Sequence, residues 1–172
     1  MLTSAAWAET RLGHRFADAA LLDAALTHRS AGRQNYERLE FLGDAVLNFT
    51  VAVLVYRAFP VADEGDLSRY RATLVSGQSL ADVANGLALG DQLRLGSGEL
   101  KTGGFRRDSI LADALEALVG AVFLDGGTDA ASAVVARLFA GRLADLPQAA
   151  ADLKDPKTRL QELLQARGHR LP

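Results

Sequence analysis

Residues 36–59 form a segment of helical length with apolar side chains on nearly every face, and this segment restricts the fold more than any other feature of the chain. A surface helix buries one stripe, whereas a helix that is apolar all round has to be enclosed by other elements. The segment stops at Pro60, whose ring cannot continue a helix, and Asn35 is suited to accept a backbone N–H at its start. Elsewhere Ala, Leu, Glu and Arg recur at helical spacing, and alternating β-branched runs are scarce. The pattern predicts an all-α domain with further helices near 3–12, 18–27, 66–75, 79–87, 109–125 and 129–143. The sequence DGG at 125–127 ends the penultimate one.

At 172 residues the chain accommodates one principal domain with a real core. Its 49% hydrophobic and 23% charged residues are those of a globular protein. Across DLPQAAADLKDP, at 145–156, prolines and small residues resemble a linker, and a helical pattern resumes in PKTRLQELLQARGH. The expected division is a helical domain at 1–148, a linker at 149–154 and the start of a second unit at 155–172. No uncharged apolar run reaches the roughly 18 residues of a membrane span, and the first residues lack the basic head and apolar core of a secretion signal. The expectation is a cytoplasmic protein with no membrane partner. Without cysteine, and with only His14, His28 and His169 scattered along the chain, a metal site would be built from oxygen ligands. The formal net charge of −2 argues against a polyanionic partner, because nucleic-acid-binding domains usually carry a basic excess.

Carboxylates interrupt the apolar segment. At about 100° per residue, Glu37, Glu40, Asp44 and Asn48 share a stripe less than about 100° wide. In 109–125, Asp113 and Glu116 fall on one face among Leu111, Leu115, Leu118, Val119 and Val122. Ala114, Ala117, Gly120 and Ala121 lie on or beside that face, and such small residues admit a neighbouring helix at close range, so the two acidic stripes are expected to face each other. Carboxylates brought together out of water cost several kcal/mol per ion, and positive charge has to compensate. Two solutions are open: pairing with Arg29 or Arg38, or a divalent cation, for which all-oxygen ligation selects Mg²⁺ or Mn²⁺. Glu37 also suits the helix dipole as a first-turn acid, and Asp113 with Glu116 also fits a solvated helix face. With a cation held there and no thiol or histidine cluster as nucleophile, the natural chemistry is hydrolysis of a phosphate ester by water.

The segment ERLEFLGDAVL at 37–47 resembles the signature of the ribonuclease III family. LTHRSA before it, DEGDLSRYRATLVS at 63–76 and GGFRRDSILADALEALVGAVFLDGG at 103–127 resemble the family's other blocks in the expected order. The resemblance implies a homodimeric all-α endonuclease that cuts double-stranded RNA with Mg²⁺, or Mn²⁺ in its place. It leaves 5′-phosphate and 3′-hydroxyl ends with short 3′ overhangs, and processes ribosomal precursors and messenger RNA. By position, Glu40, Asp44, Asp113 and Glu116 match the metal ligands, with Asp44 and Glu116 also catalytic. Glu37 and Glu64 match further acids of the cleavage valley, and Phe41 matches the apolar residue that inserts into the partner subunit. Residues 155–172 resemble the opening of a double-stranded-RNA-binding domain, whose remainder would supply the missing basic charge. Arg69, Arg71, Lys101, Arg106 and Arg107 are the candidate phosphate contacts, the last three flanking TGG in what reads as a flexible surface loop. His28 is expected to be structural. Two other readings are an all-α nucleoside-triphosphate pyrophosphohydrolase, and a non-catalytic RNA-binding dimer, in which substituted acids would be expected; here every acidic position is filled.

Overall fold

The computed structural model describes residues 3–147, so the expected linker at 149–154 and the unit at 155–172 lie outside the described residues. The helices begin where the sequence offers caps. Thr3 caps α1 (Ser4–Leu12), Asp18 caps α2 (Ala19–Ala25), Asp63 caps α4 (Glu64–Leu74) and Ser76 caps α5 (Gly77–Gly86), each accepting a first-turn N–H through its side-chain oxygen. Helix α3 (Glu37–Ala58) starts on Tyr36, and Asn35 Oδ1 accepts the Glu37 N–H at 3.1 Å. The short helix α6 (Ser97–Lys101) and 3₁₀ turns at Leu89–Gln92 and Gly104–Arg106 lead into α7 (Asp108–Ala144). The loop expected around TGG is therefore a folded turn, with Gly103 supplying a left-handed φ of 76°.

Helix α7 is two helices joined at Gly127, whose φ of 76° and ψ of −171° break the helical path where DGG was expected to end it. Asp125 fixes the break. Its carboxylate accepts the Asp18 N–H at 2.8 Å and pairs with His14 Nε2 at 2.8 Å, tying the α1–α2 turn to the kink.

The first half of α7 is enclosed by the other helices, with Leu111, Leu115, Leu118 and Val122 almost fully buried, and α3 is its main neighbour. Leu39, Leu47, Val51 and Val55 of α3 enter the same core, which also takes the rings of Trp7, Tyr70 and Phe139. The Trp7 indole N–H is satisfied by the Leu87 carbonyl at 2.9 Å. By length and composition α3 is long and apolar enough to cross a membrane. It nevertheless keeps one apolar side uncovered, with Phe41 83%, Phe49 62% and Tyr56 70% exposed.

The segment before α3 is pinned by an isolated parallel bridge between Thr27 and Arg94, in which the His28 N–H meets the Arg94 carbonyl at 3.0 Å. His28 is buried and also lines the pocket that holds Glu40 and Asp113. Its Nδ1 accepts the Ser30 N–H at 3.1 Å and lies 2.7 Å from the Ser30 hydroxyl, and its ring stands edge-on to Tyr36.

Candidate metal and catalytic site

Helices α3 and α7 touch through their backbones. A Cβ built on Gly43 would fall on the Glu116 carbonyl oxygen and 2.9 Å from the Gly120 nitrogen, and one built on Gly120 would fall on the Leu39 carbonyl. Only glycine at both positions permits this separation. Gly120 belongs to the small-residue stripe expected from sequence, whereas its counterpart Gly43 was not singled out. The joint sits one helical turn from Glu40 and one from Glu116, and so brings the carboxylates of the two helices together.

Carboxylate oxygens of Glu40, Asp113 and Glu116 lie within 4.8 Å of one another. Burial raises the proton affinity of all three. Glu116 is pushed up to about 7 by burial and then by the charges of Asp44, Asp113 and Glu40. Glu40 is raised by burial, Asp113 and Glu37, with Arg29 opposing. Asp113 is raised by burial, with His28 and Arg29 opposing. The Tyr36 hydroxyl beside them is held protonated by burial and by Asp113 and Glu40. Partly buried carboxylates that raise one another's proton affinity form an all-oxygen group suited to a hard divalent cation, and these residues fit such an ion.

Asp44 stands apart from the close group. Its Oδ1 accepts from Asn48 Nδ2 at 2.8 Å, yet its charge is the leading electrostatic influence on Glu116. Glu37 lines a pocket of about 300 Å³ together with Glu40 and Asp113, and pairs with Arg29 at 3.4 Å. Of the two arginines expected to compensate the acids, Arg29 does so. Arg38 lines a groove with Glu37, Phe41 and Leu42 and forms no ion pair with the acids among the described residues.

Residues 18–143 match the family of Ribonuclease-III-like proteins. The chain belongs to the ribonuclease III family. It is 60% identical over 163 residues to Ribonuclease 3 of Nitrosococcus oceani, covering 94% of this chain and 70% of that one. It is 54% identical over 163 residues to Ribonuclease 3 of Vibrio cholerae, covering 95% and 72%. The ribonuclease III nuclease domain of Campylobacter jejuni, in a structure concerned with a flexible region involved in dimer formation, superposes with a TM-score of 0.76 at 44% identity, over 78% of this chain and 95% of that one. These matches set aside the pyrophosphohydrolase reading.

As a ribonuclease III enzyme, the chain carries its remaining candidate residues on several other elements. Glu64, in the first turn of α4, accepts from the Ser68 hydroxyl at 2.9 Å and shares a small pocket with Tyr56 and Arg71; it is outside the Glu40, Asp113 and Glu116 group. Arg69 pairs with Asp66 on the same helix, and Arg71 is exposed. Lys101 is exposed at the end of α6, Arg106 lies over the Phe105 ring at 4.9 Å, and Arg107 pairs with Glu99 at 3.1 Å on the rim of the acidic pocket. Sequence reasoning passed over Glu99. A lone glutamate on a five-residue helix offers no periodicity by which to find it.

Proposed function

We propose that the chain is a Mg²⁺-dependent endoribonuclease that hydrolyses double-stranded RNA as a homodimer, with Mn²⁺ able to replace Mg²⁺. The observation that carries this reading is the convergence of Glu40, Asp113 and Glu116 oxygens at a backbone-to-backbone helix joint. Glu40, Asp113 and Glu116 would hold the ion, with Asp44 as the fourth acid. When bound, the ion lowers the pKa of a water and offsets charge on the phosphate oxygens. The chain's own groups do the rest. Asn48 holds one oxygen of Asp44 by donating to it at 2.8 Å. Glu116 gives up its proton as pH rises through about 7 and becomes available to the ion. Arg29 and Arg107, on the rim of the pocket, meet the backbone phosphates, while Glu37 and Glu64 edge the surface where the duplex lies. Attack of water on phosphorus with departure of the 3′ oxygen leaves a 5′-phosphate and a 3′-hydroxyl. Two sites offset across the duplex then yield short 3′ overhangs, the chemistry needed to process ribosomal precursors and messenger RNA in the cytoplasm. Arg69, Arg71, Lys101 and Arg106 extend the phosphate-binding surface, which is sequence-independent in character.

Incubation with a long RNA duplex tests the reading. Cleavage with Mg²⁺, none with EDTA and no release of pyrophosphate from nucleoside triphosphates are the expected results; an intact duplex in Mg²⁺ would overturn it.

The dimer reading draws on Phe41, 83% exposed and lining a groove of about 700 Å³ with Leu21, Ala24, Leu39, Leu42 and Leu124, and with Glu37 and Arg38. In a two-fold interface each Phe41 enters the partner's groove, so one substitution acts twice. Phe41→Asp is expected to weaken dimerisation at least about 100-fold, given about 2 kcal/mol for each buried phenylalanine. Sedimentation that finds the variant as dimeric as the parent would reject this interface.

A further inference from the structure

Glu99 lines the same pocket as Glu40 and Asp113, although it belongs to a different element, α6. Its side chain is seated against Gly104, where a Cβ would lie 2.9 Å from Glu99 Oε2 and 3.0 Å from its carbonyl oxygen. Oε2 is buried without a hydrogen bond among the described residues, and its ionic partner is Arg107 Nη1 at 3.1 Å. Arg107 is the residue immediately before α7, the helix that carries Asp113 and Glu116, and its side chain is 47% exposed on the pocket rim. Its other polar contact is a long one, 3.5 Å to the Thr102 hydroxyl.

Arg107 shares its pocket with Glu40 and Asp113, and a guanidinium on a long stem is drawn to carboxylates. Were it to fold onto them it would neutralise the acids that hold the ion, and would be lost to any phosphate. A carboxylate outside the cluster, close to the guanidinium and wedged by a glycine, competes for it. We propose that Glu99 is a positioning residue that holds the Arg107 guanidinium on the rim of the acidic pocket, off the metal-binding carboxylates and turned toward a backbone phosphate of the RNA. The proposal rests on the duplex-RNA reading above.

Glu99→Gln keeps the shape that packs on Gly104 and removes the charge, so a mere strut between α6 and α7 would survive it. The expected result is a KM for duplex RNA about fivefold higher with a smaller loss in kcat, and a salt dependence of duplex binding shallower by about one in logarithmic slope. Arg107→Ala should match it in slope, and the double variant should be no worse than Arg107→Ala alone. Mn²⁺ titration of the RNA-free protein adds a readout independent of cleavage. Glu99→Gln should weaken Mn²⁺ binding severalfold, and adding Arg107→Ala should restore it. Parental KM and salt slope in Glu99→Gln, or additive losses in the double variant, would overturn the proposal. The binding and Mn²⁺ arms need no cleavage, so failure of the nuclease reading would be seen separately in the duplex-cutting assay.

Discussion

Replacing Glu116 by glutamine is expected to stabilise the metal-free protein at pH 8 while abolishing cleavage. Burial, followed by the charges of Asp44, Asp113 and Glu40, raises this carboxyl from an ordinary 4.5 to about 7. Between those values the folded state binds more protons than the unfolded chain, so stability falls as pH rises through the window, and the full penalty applies above it. At about 1.4 kcal/mol per pKa unit, and with the group partly open to solvent, the penalty is on the order of 2–3 kcal/mol. The uncharged amide removes it. In a domain of this size the metal-free variant should melt about 5–10 °C above the parent at pH 8 and close to it at pH 4. Mg²⁺ should then raise the Tm of the parent but not of the variant, and should bind the parent more tightly as pH rises through about 7. Duplex binding should survive, because it depends on phosphate contacts elsewhere. Calorimetry showing the variant less stable than the parent at pH 8 would contradict the picture of mutually repelling acids.

Gly43→Ala is expected to do the opposite, removing stability and ion binding together. The atom in its way is the backbone carbonyl of Glu116, which cannot swing aside as the end of a side chain can. The two helices must separate, and the loss should reach about 3 kcal/mol or more, at or above the top of the usual range for overpacking in a core. Gly141 makes a suitable control, since a Cβ there meets nothing within 4 Å and Gly141→Ala should stabilise α7 by about 0.5–1 kcal/mol. Chemical denaturation of the two variants measures both effects. A Gly43→Ala protein as stable as the parent would mean that the helices can meet at a different separation.

Much of this was legible in the sequence for identifiable reasons. The starts expected at 3 and 18 fall on the caps Thr3 and Asp18, whereas α4 and α5 begin two residues before the expected 66 and 79, because Asp63 and Ser76 cap them. The acidic stripes of α3 and α7 are visible because each interrupts an apolar helix, and geometry then predicts that they meet. Gly43 is invisible to the same reasoning, since a glycine within a helix reads as a loss of propensity unless its neighbour is known. The turns at Leu89–Gln92 and Gly104–Arg106, and α6 between them, are too short to show a period, so the segment read as loop and Glu99 went unnoticed. Asp44 shares the stripe by angle, but its hydrogen bond to Asn48 and its place one turn beyond Glu40 leave it outside the close group.

Because α3 and α7 meet through backbone atoms at Gly43 and Gly120, the separation of their carboxylates does not depend on side-chain volume. Core residues within about one turn of the joint, such as Leu47 on α3 and Leu118 on α7, can drift among aliphatic side chains and alter stability without resizing the cage for the ion. The dimensions of the site are thus set by two positions that have no side chain to vary, which leaves the rest of the core open to evolutionary change.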